Sequence, residues 1–210
     1  MSDALPIRVL CVDDHALIRE AIETKINMQL DMKVVAAATT GQEAVWAFKR
    51  HAPDVTLMDL RLPEMDGIEA IREIRAHSRE ARIVVLTMYQ GDEDMYQALQ
   101  AGATTYLLKD TLSDDLVRVV RKVHRGIACI PPGIAAVLAK RTPESALTDR
   151  EVEVLVCVAR GMRNKEIADT LGISPDTAAV HMKHILSKLR TSDRASAIRI
   201  ALQRGIIHIH

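Results

Sequence analysis

Over roughly the first 125 residues, short apolar runs alternate with stretches of helical periodicity, and this alternation organises the rest of the chain. Runs rich in β-branched and aliphatic residues near 7–12, 33–37, 55–59, 82–87 and 104–108 predict strands. The stretches between them, near 16–28, 41–50, 66–77, 92–101 and 112–125, predict helices. Ala44, Val45 and Phe48, then Ile68, Ile71 and Ile74, each mark one buried helical face. Trp46 is expected to pack against the sheet. Strands that alternate with helices make βα units, so the pattern predicts an α/β fold with a five-stranded, parallel, doubly wound sheet. From residue 126 to 146 the periodicity relaxes around Gly126, Pro131-Pro132-Gly133 and Pro143, which marks a linker holding the short apolar piece Ile134–Leu138.

Beyond the linker the pattern is all helical. Thr148-Asp149-Arg150-Glu151 is a capping box opening a helix whose apolar face is Val152, Leu155, Val156 and Ala159. Asn164 to Leu171 follows, closed by Gly172. Ser174 and Pro175 then suit the N-cap and first position of a helix reaching about Leu189. A last helix, from about Asp193 to Arg204, completes a small four-helix bundle. The tight turn between its second and third helices suggests a helix-turn-helix, with a helical docking module as the alternative.

Composition sharpens this two-part picture. The 210 residues exceed the roughly 100 to 150 of one typical domain. Net charge is zero, yet residues 1–140 hold 17 Lys/Arg against 20 Asp/Glu while 141–210 hold 11 against 8, so the first part is acidic and the last basic. Cys11, Cys129 and Cys157 form no CxxC pair and lie in apolar runs, which fits reduced core thiols in a cytosolic protein. Met1–Pro6 is short and polar, and no apolar run approaches the roughly 20 residues of a membrane span. The expectation is a soluble, cytoplasmic chain.

The chemistry lies at the strand ends. Val55-Thr56-Leu57-Met58-Asp59 closes in a carboxylate, and the run Ile7–Val12 is followed by Asp13 and Asp14. In a doubly wound sheet such acids point into the crevice at the carboxyl ends of the strands. Three carboxylates there repel one another, and a hard divalent cation, typically Mg2+, neutralises them. Strand four ends in Thr87 and strand five is followed by Lys109, adding a hydroxyl and an ammonium to the same edge. Acids, hydroxyl and ammonium together make a phosphate site.

Asp13-Asp14, Asp59, Thr87 and Lys109, at successive strand ends, resemble the receiver domain of two-component response regulators over about residues 5–125. The resemblance implies a flavodoxin-like fold in which Asp59 takes a phosphoryl group from a sensor histidine kinase or a small phosphodonor. It implies Mg2+ on Asp14, Asp59 and the backbone carbonyl of Arg61, with Asp13 acting through water. Tyr106 resembles the family's switch aromatic, and Arg61 and Tyr89 stand where the phosphoryl lifetime is tuned. Asp110 follows Lys109 where many members have proline, which leaves the geometry of that peptide bond open. A phosphoaspartyl phosphotransferase of the haloacid dehalogenase kind also uses a strand-end Asp, but it wants an acid where this chain has Arg61.

The predicted third helix of the bundle opens with small and polar residues, Thr177, Ala178, Ala179, His181, Lys183 and His184, which suits approach to a groove. Leu-Thr-Asp-Arg-Glu at 147–151, Asn-Lys-Glu-Ile-Ala at 164–168 and the stretch from Thr177 through His181 to Leu189 resemble the LuxR-type DNA-binding domain over about 145–206. With the receiver they resemble a NarL/FixJ-type response regulator: receiver 1–125, linker 126–146 and DNA-binding domain 147–210. The resemblance implies a recognition helix at roughly 175–189, with Val180 and Lys183 toward the major groove, Lys165, Thr177 and Lys188 near phosphates, and His184 among the DNA-binding residues. Ala179 stands where the family commonly has Lys, which removes a cation from the groove face. The implied protein is a regulator rather than an enzyme, pairs as a homodimer when phosphorylated, and binds promoter DNA. Docking of a protein partner by the second domain is the alternative. His181 and His184 have metal-ligand spacing but no third ligand nearby.

Overall fold

The computed structural model describes residues 5–87, 92–109, 112–127 and 146–207, which belong to two compact units. In the first, β1 (Ile7–Val12), α1 (Ala16–Asn27), β2 (Met32–Ala38), α2 (Gly41–His51), β3 (Val55–Asp59), α3 (Gly67–His77), β4 (Ile83–Thr87), α4 (Asp92–Ala101), β5 (Thr105–Leu108) and α5 (Leu112–His124) alternate as the hydrophobic pattern predicts. All strand pairs are parallel, in the order β2-β1-β3-β4-β5. The chain steps outward from β1 to β2 and then crosses back to β3, so the winding reverses between β1 and β3. A crevice opens at the carboxyl ends of the strands at such a reversal.

Burial explains why the strands read as continuous apolar runs. Every residue of β3 is buried, as expected of a central parallel strand covered on both faces. Val9, Cys11, Leu57, Val84 and Leu86 from the strands pack with Ile22 and Ile26 of α1 and Leu116, Val120 and Val123 of α5 in one cluster. On α2, Ala44, Val45, Ala47 and Phe48 face inward. Trp46 does not, contrary to the expectation from its size: it is 62% exposed, with the Arg50 guanidinium 5.4 Å from its ring centroid. At about 100° per residue it lies beyond the stripe centred on Ala44 and Phe48, and periodicity outweighs hydrophobicity.

The turn after β3 is tightly built. Asp66 caps α3 by accepting the Glu69 N–H at 2.8 Å, and the Gly67 N–H donates to the Leu60 carbonyl at 3.0 Å. A Cβ on Gly67 would overlap the Asp59 carbonyl oxygen. The first turn of α3 therefore rests on the peptide of Asp59 itself.

In the second unit, α6 (Asp149–Ala159), α7 (Asn164–Leu171), α8 (Pro175–Lys188) and α9 (Arg194–Gln203) form the four-helix bundle. The Thr148–Glu151 capping box opens α6, Ser174 accepts the Thr177 N–H to open α8, and Asp193 accepts the Ser196 N–H to open α9. Gly172 ends α7 at φ 66°, a left-handed position. The deepest face of α6 is Val154, Leu155, Cys157 and Val158, while Val152, Val156 and Ala159 pack at its margin. This shifts the buried face from the expected one, because the second half of α6, Val154 to Ala159, is wholly apolar and its neighbours choose the side. Cys11 and Cys157 are buried free thiols. The linker core 128–145, Tyr89, the Lys109–Asp110 peptide, Cys129 and the His208–His210 tail lie outside the described residues. Among the described residues no helix is long and apolar enough to cross a membrane.

Gly67→Ala should displace the β3–α3 turn. We expect a loss of about 1–3 kcal/mol in urea unfolding, together with weakened cation binding at Asp59. Unchanged values of both would mean that the turn can relax away from Asp59.

Candidate functional site

The first unit brings the predicted strand-end residues together. Asp13 follows β1 and is fully buried, and Asp59 ends β3 at 2% exposure. The ammonium of Lys109, whose side chain is 3% exposed, lies 2.7 Å from Asp13 Oδ2 and 2.8 Å from Asp59 Oδ2. The Arg61 N–H donates to Asp59 Oδ1 at 3.2 Å, so the backbone after β3 folds around the carboxylate. Thr87, 6% exposed at the end of β4, aligns with Leu108 in β5. Tyr106 aligns with Val85 and is 8% exposed, and burial pushes its phenol up.

Two buried carboxylates share one buried ammonium, which leaves an excess of negative charge. Burial pushes the Asp59 carboxyl above the ordinary aspartate value, and the opposing pull of Lys109 does not cancel it, partly because Asp13 is so near. Burial pulls Lys109 down, but the hydrogen bonds and charges of Asp13 and Asp59 outweigh it and hold its ammonium up. Asp13 Oδ2 has the Lys109 ammonium, 2.7 Å away, as its charged partner.

Asp14, half exposed, and His15 complete the rim. His15 Nδ1 is 2.6 Å from Asp14 Oδ1, and the His15 N–H donates to Asp13 Oδ1 at 3.0 Å. One ligand atom each from Asp13, Asp14, His15 and Asp59 can be chosen with all four within 4.8 Å of one another. A mostly carboxylate donor set and an excess of negative charge fit a divalent cation. His15 and Arg19, whose guanidinium donates to the Asp13 carbonyl at 2.7 Å, were not singled out from sequence. Their one visible signal is position, immediately after an acidic pair and one turn into the next helix.

In the second unit, Ala178, Met182 and Ile185 turn one face of α8 into the core. Thr177, Ala179, Val180, Lys183 and His184 are exposed on the other, Val180 to 51%, and Lys165 is exposed on α7. The hydroxyls of Thr177 and Ser174 are 2.8 Å apart. Lys188 is tied down: its ammonium donates to Glu151 Oε2 at 2.7 Å, joining the end of α8 to the start of α6. Burial pushes the Glu151 carboxyl up, but Lys188 and the Thr148 N–H outweigh it and hold it below the usual value. His181 and His184 belong to no cluster of potential metal ligands among the described residues.

Two family models match this chain. The family model described as a response regulator receiver domain matches residues 9–121, and that of bacterial regulatory proteins of the luxR family matches 145–201. The response regulator protein VraR of Staphylococcus aureus is 36% identical over 208 residues, covering 97% of this chain and all of that protein. The response regulator ChrA of a heme-sensing two-component system is 33% identical over 97% of this chain and all of that one, with a TM-score of 0.57. The response regulator RcsB in complex with DNA, 23% identical over 94% of this chain and 98% of that one, shares the fold at a TM-score of 0.67.

Without a divalent cation, Asp59→Asn should stabilise the chain by roughly 1–3 kcal/mol, because the variant leaves Asp13 and Lys109 as a balanced pair. Mg2+ at about one hundred times its dissociation constant should raise wild-type stability by about 2.7 kcal/mol and the variant's by much less. Melting curves with and without Mg2+ check both signs. Glu151, with a lowered folded pKa, stabilises the bundle above its unfolded value, and that stability is lost as pH falls through the folded one. Wild-type stability should therefore decline from about pH 5 toward about pH 3, and Lys188→Met should flatten the decline in urea titrations.

Proposed function

This chain belongs to the response regulators that join a receiver domain to a LuxR-type helical domain, and from that premise we propose a phosphorylation-dependent, DNA-binding transcription regulator. The receiver spans 1–125, the linker 126–146 and the DNA-binding domain 147–210. The observation that carries the reading is the buried Asp13–Lys109–Asp59 constellation at the switch point of the sheet.

Asp59 is the phosphoacceptor. One of its carboxylate oxygens attacks the phosphorus of a phosphohistidine on a sensor kinase. The P–N bond breaks with its electron pair going to the imidazole, which takes up a proton. Phosphoryl transfer needs placement and charge neutralisation more than covalent assistance. Lys109 supplies the ammonium for one phosphoryl oxygen, exchanging its contact with the Asp59 carboxylate for one with the phosphate. The Thr87 hydroxyl donates to another. Asp14, Asp59 and the Arg61 carbonyl would hold Mg2+, with Asp13 acting through water, and the ion would supply the remaining positive charge.

The same movement carries the signal. As Thr87 turns toward the phosphoryl group, Tyr106 repacks beside it and changes the face formed by α4, β5 and α5. That face promotes a homodimer, and two helix-turn-helix units then read paired half-sites in double-stranded DNA. On α8, Ala179, Val180, Lys183 and His184 address base edges, while Lys165 and Thr177 address phosphates. Lys188 reaches a phosphate only by leaving Glu151. Asp59 accepts one phosphoryl group per cycle and turns over no second substrate, so the chain acts as a switch rather than an enzyme. It works in the cytoplasm, where the DNA and the kinase's transmitter domain meet.

Intact mass with acetyl phosphate and Mg2+, followed by sedimentation and anisotropy on selected duplexes, tests this reading. Wild type should gain one phosphoryl mass, shift toward dimer and bind DNA with an affinity that falls as salt rises, and Asp59→Asn should do none of these. Lys183→Ala should weaken DNA binding by about 1–3 kcal/mol without changing phosphorylation. An adduct with no duplex bound would assign the second domain to a protein partner instead.

A further inference from the structure

The outward line of α8 opens on an acid. Ala178, Met182 and Ile185 fix the buried side of this helix, and at about 100° per residue the line opposite them runs through Asp176, Val180, Lys183 and Ser187. All four are exposed, Val180 to 51%. Asp176 thus stands in one row with Val180 and Lys183, a turn before the first and two turns before the second.

Capping does not account for its carboxylate. Glu151 and Glu166, each at the third position of its helix, fold back to accept the N–H of Thr148 and of Arg163 at 2.8 and 2.7 Å. In α8 that position is Thr177, and Ser174 closes the cap by accepting the Thr177 N–H at 3.0 Å. Asp176, one residue earlier, has no side-chain hydrogen bond or ion pair among the described residues. Ala179 and Val180, one turn on, bring no cation beside it. Its pull on the positive end of the helix dipole is what any first-turn acid gives. Between two phosphate backbones an unpaired carboxylate is repelled, so an acid on this line needs a donor to meet it.

Base edges offer one. In the major groove cytosine presents its N4 amino group as a donor, guanine and thymine present acceptors, and the adenine amino group stands beside the N7 acceptor. A carboxylate is therefore attracted at cytosine, repelled at guanine and thymine, and meets a mixed edge at adenine. We infer that Asp176 is a specificity-determining residue that accepts a hydrogen bond from the N4 amino group of a cytosine in the half-site. Lys183 lies about 10 Å further along the axis, so that cytosine falls within about three base pairs of the pair Lys183 reads. The inference rests on the reading that α8 enters the major groove, and it adds which base the first turn selects.

The test uses the full chain treated with acetyl phosphate and Mg2+, a library of randomised duplexes, and anisotropy on the selected site. Wild type should retain a half-site with a pair at which cytosine is preferred roughly fivefold or more. Asp176→Ala should lose the preference at that pair alone, and should bind duplexes lacking the cytosine more tightly than wild type does, because the repulsion is gone. Asp176→Asn should move the preference there toward adenine, whose N6 and N7 suit an amide. Replacing that cytosine by 2-pyrimidinone, which lacks the amino group, should weaken wild type roughly fivefold more than Asp176→Ala. Persistence of the cytosine preference in Asp176→Ala, equal sensitivity of both proteins to 2-pyrimidinone, or an equal loss of affinity for every duplex would overturn the inference, the last because it marks a residue that only supports the helix. Retained duplexes with no cytosine requirement defeat the role of Asp176 alone, whereas no duplex retained by the phosphorylated chain defeats the DNA-binding reading as well.

Discussion

The excess of negative charge around Lys109 is the constraint on which the first unit depends. One ammonium sits between two carboxylates, and all three groups are almost wholly removed from water. Burying ions is costly, and unequal numbers of opposite charges make it costlier. Such a centre persists only where the surrounding structure imposes it, and here a fully buried strand, a backbone turn resting on Asp59 and three further strand ends do so. The strain is electrostatic, and an arriving cation or phosphoryl group relieves or redistributes it. A site that is uncomfortable when unmodified has two states to choose between.

Topology explains why these residues meet at all. Asp13, Asp59, Thr87 and Lys109 are far apart along the chain, yet each lies at the carboxyl end of a strand or just past it. A parallel sheet puts all those ends on one side, so four sequence positions become one place. The second unit solves a different problem with the same economy. Its core uses only one side of α8, and a half-buried ion pair between Glu151 and Lys188 fixes the end of that helix against the start of α6.

Much of this was legible in the sequence because it rests on periodicity and on strand ends. Every strand and helix of the first unit lies within one residue of its predicted limits, and the caps at Thr148, Ser174 and Asp193 hold as their residue types suggest. What stayed hidden depends on three-dimensional neighbours. Trp46 is apolar enough for a core but sits off the buried stripe, where Arg50 covers its ring. Lys188 reads as a free cation because its partner is 37 residues away. His15 looks like an ordinary residue opening a helix until the fold sets it against the acids. The face α6 buries could not be chosen from Val154–Ala159, a run of six apolar residues.

The division of α8 into two faces has an evolutionary consequence. Ala178, Met182 and Ile185 carry the packing, while Thr177, Ala179, Val180, Lys183 and His184 carry almost none of it. Substitutions at the second set are close to neutral for stability. On the proposed assignment of those five positions to DNA, a gene duplicate of this chain can drift to a new target through them while its bundle folds as before. Insulation from the parent's targets is then a matter of a few surface exchanges, with no need to rebuild the core.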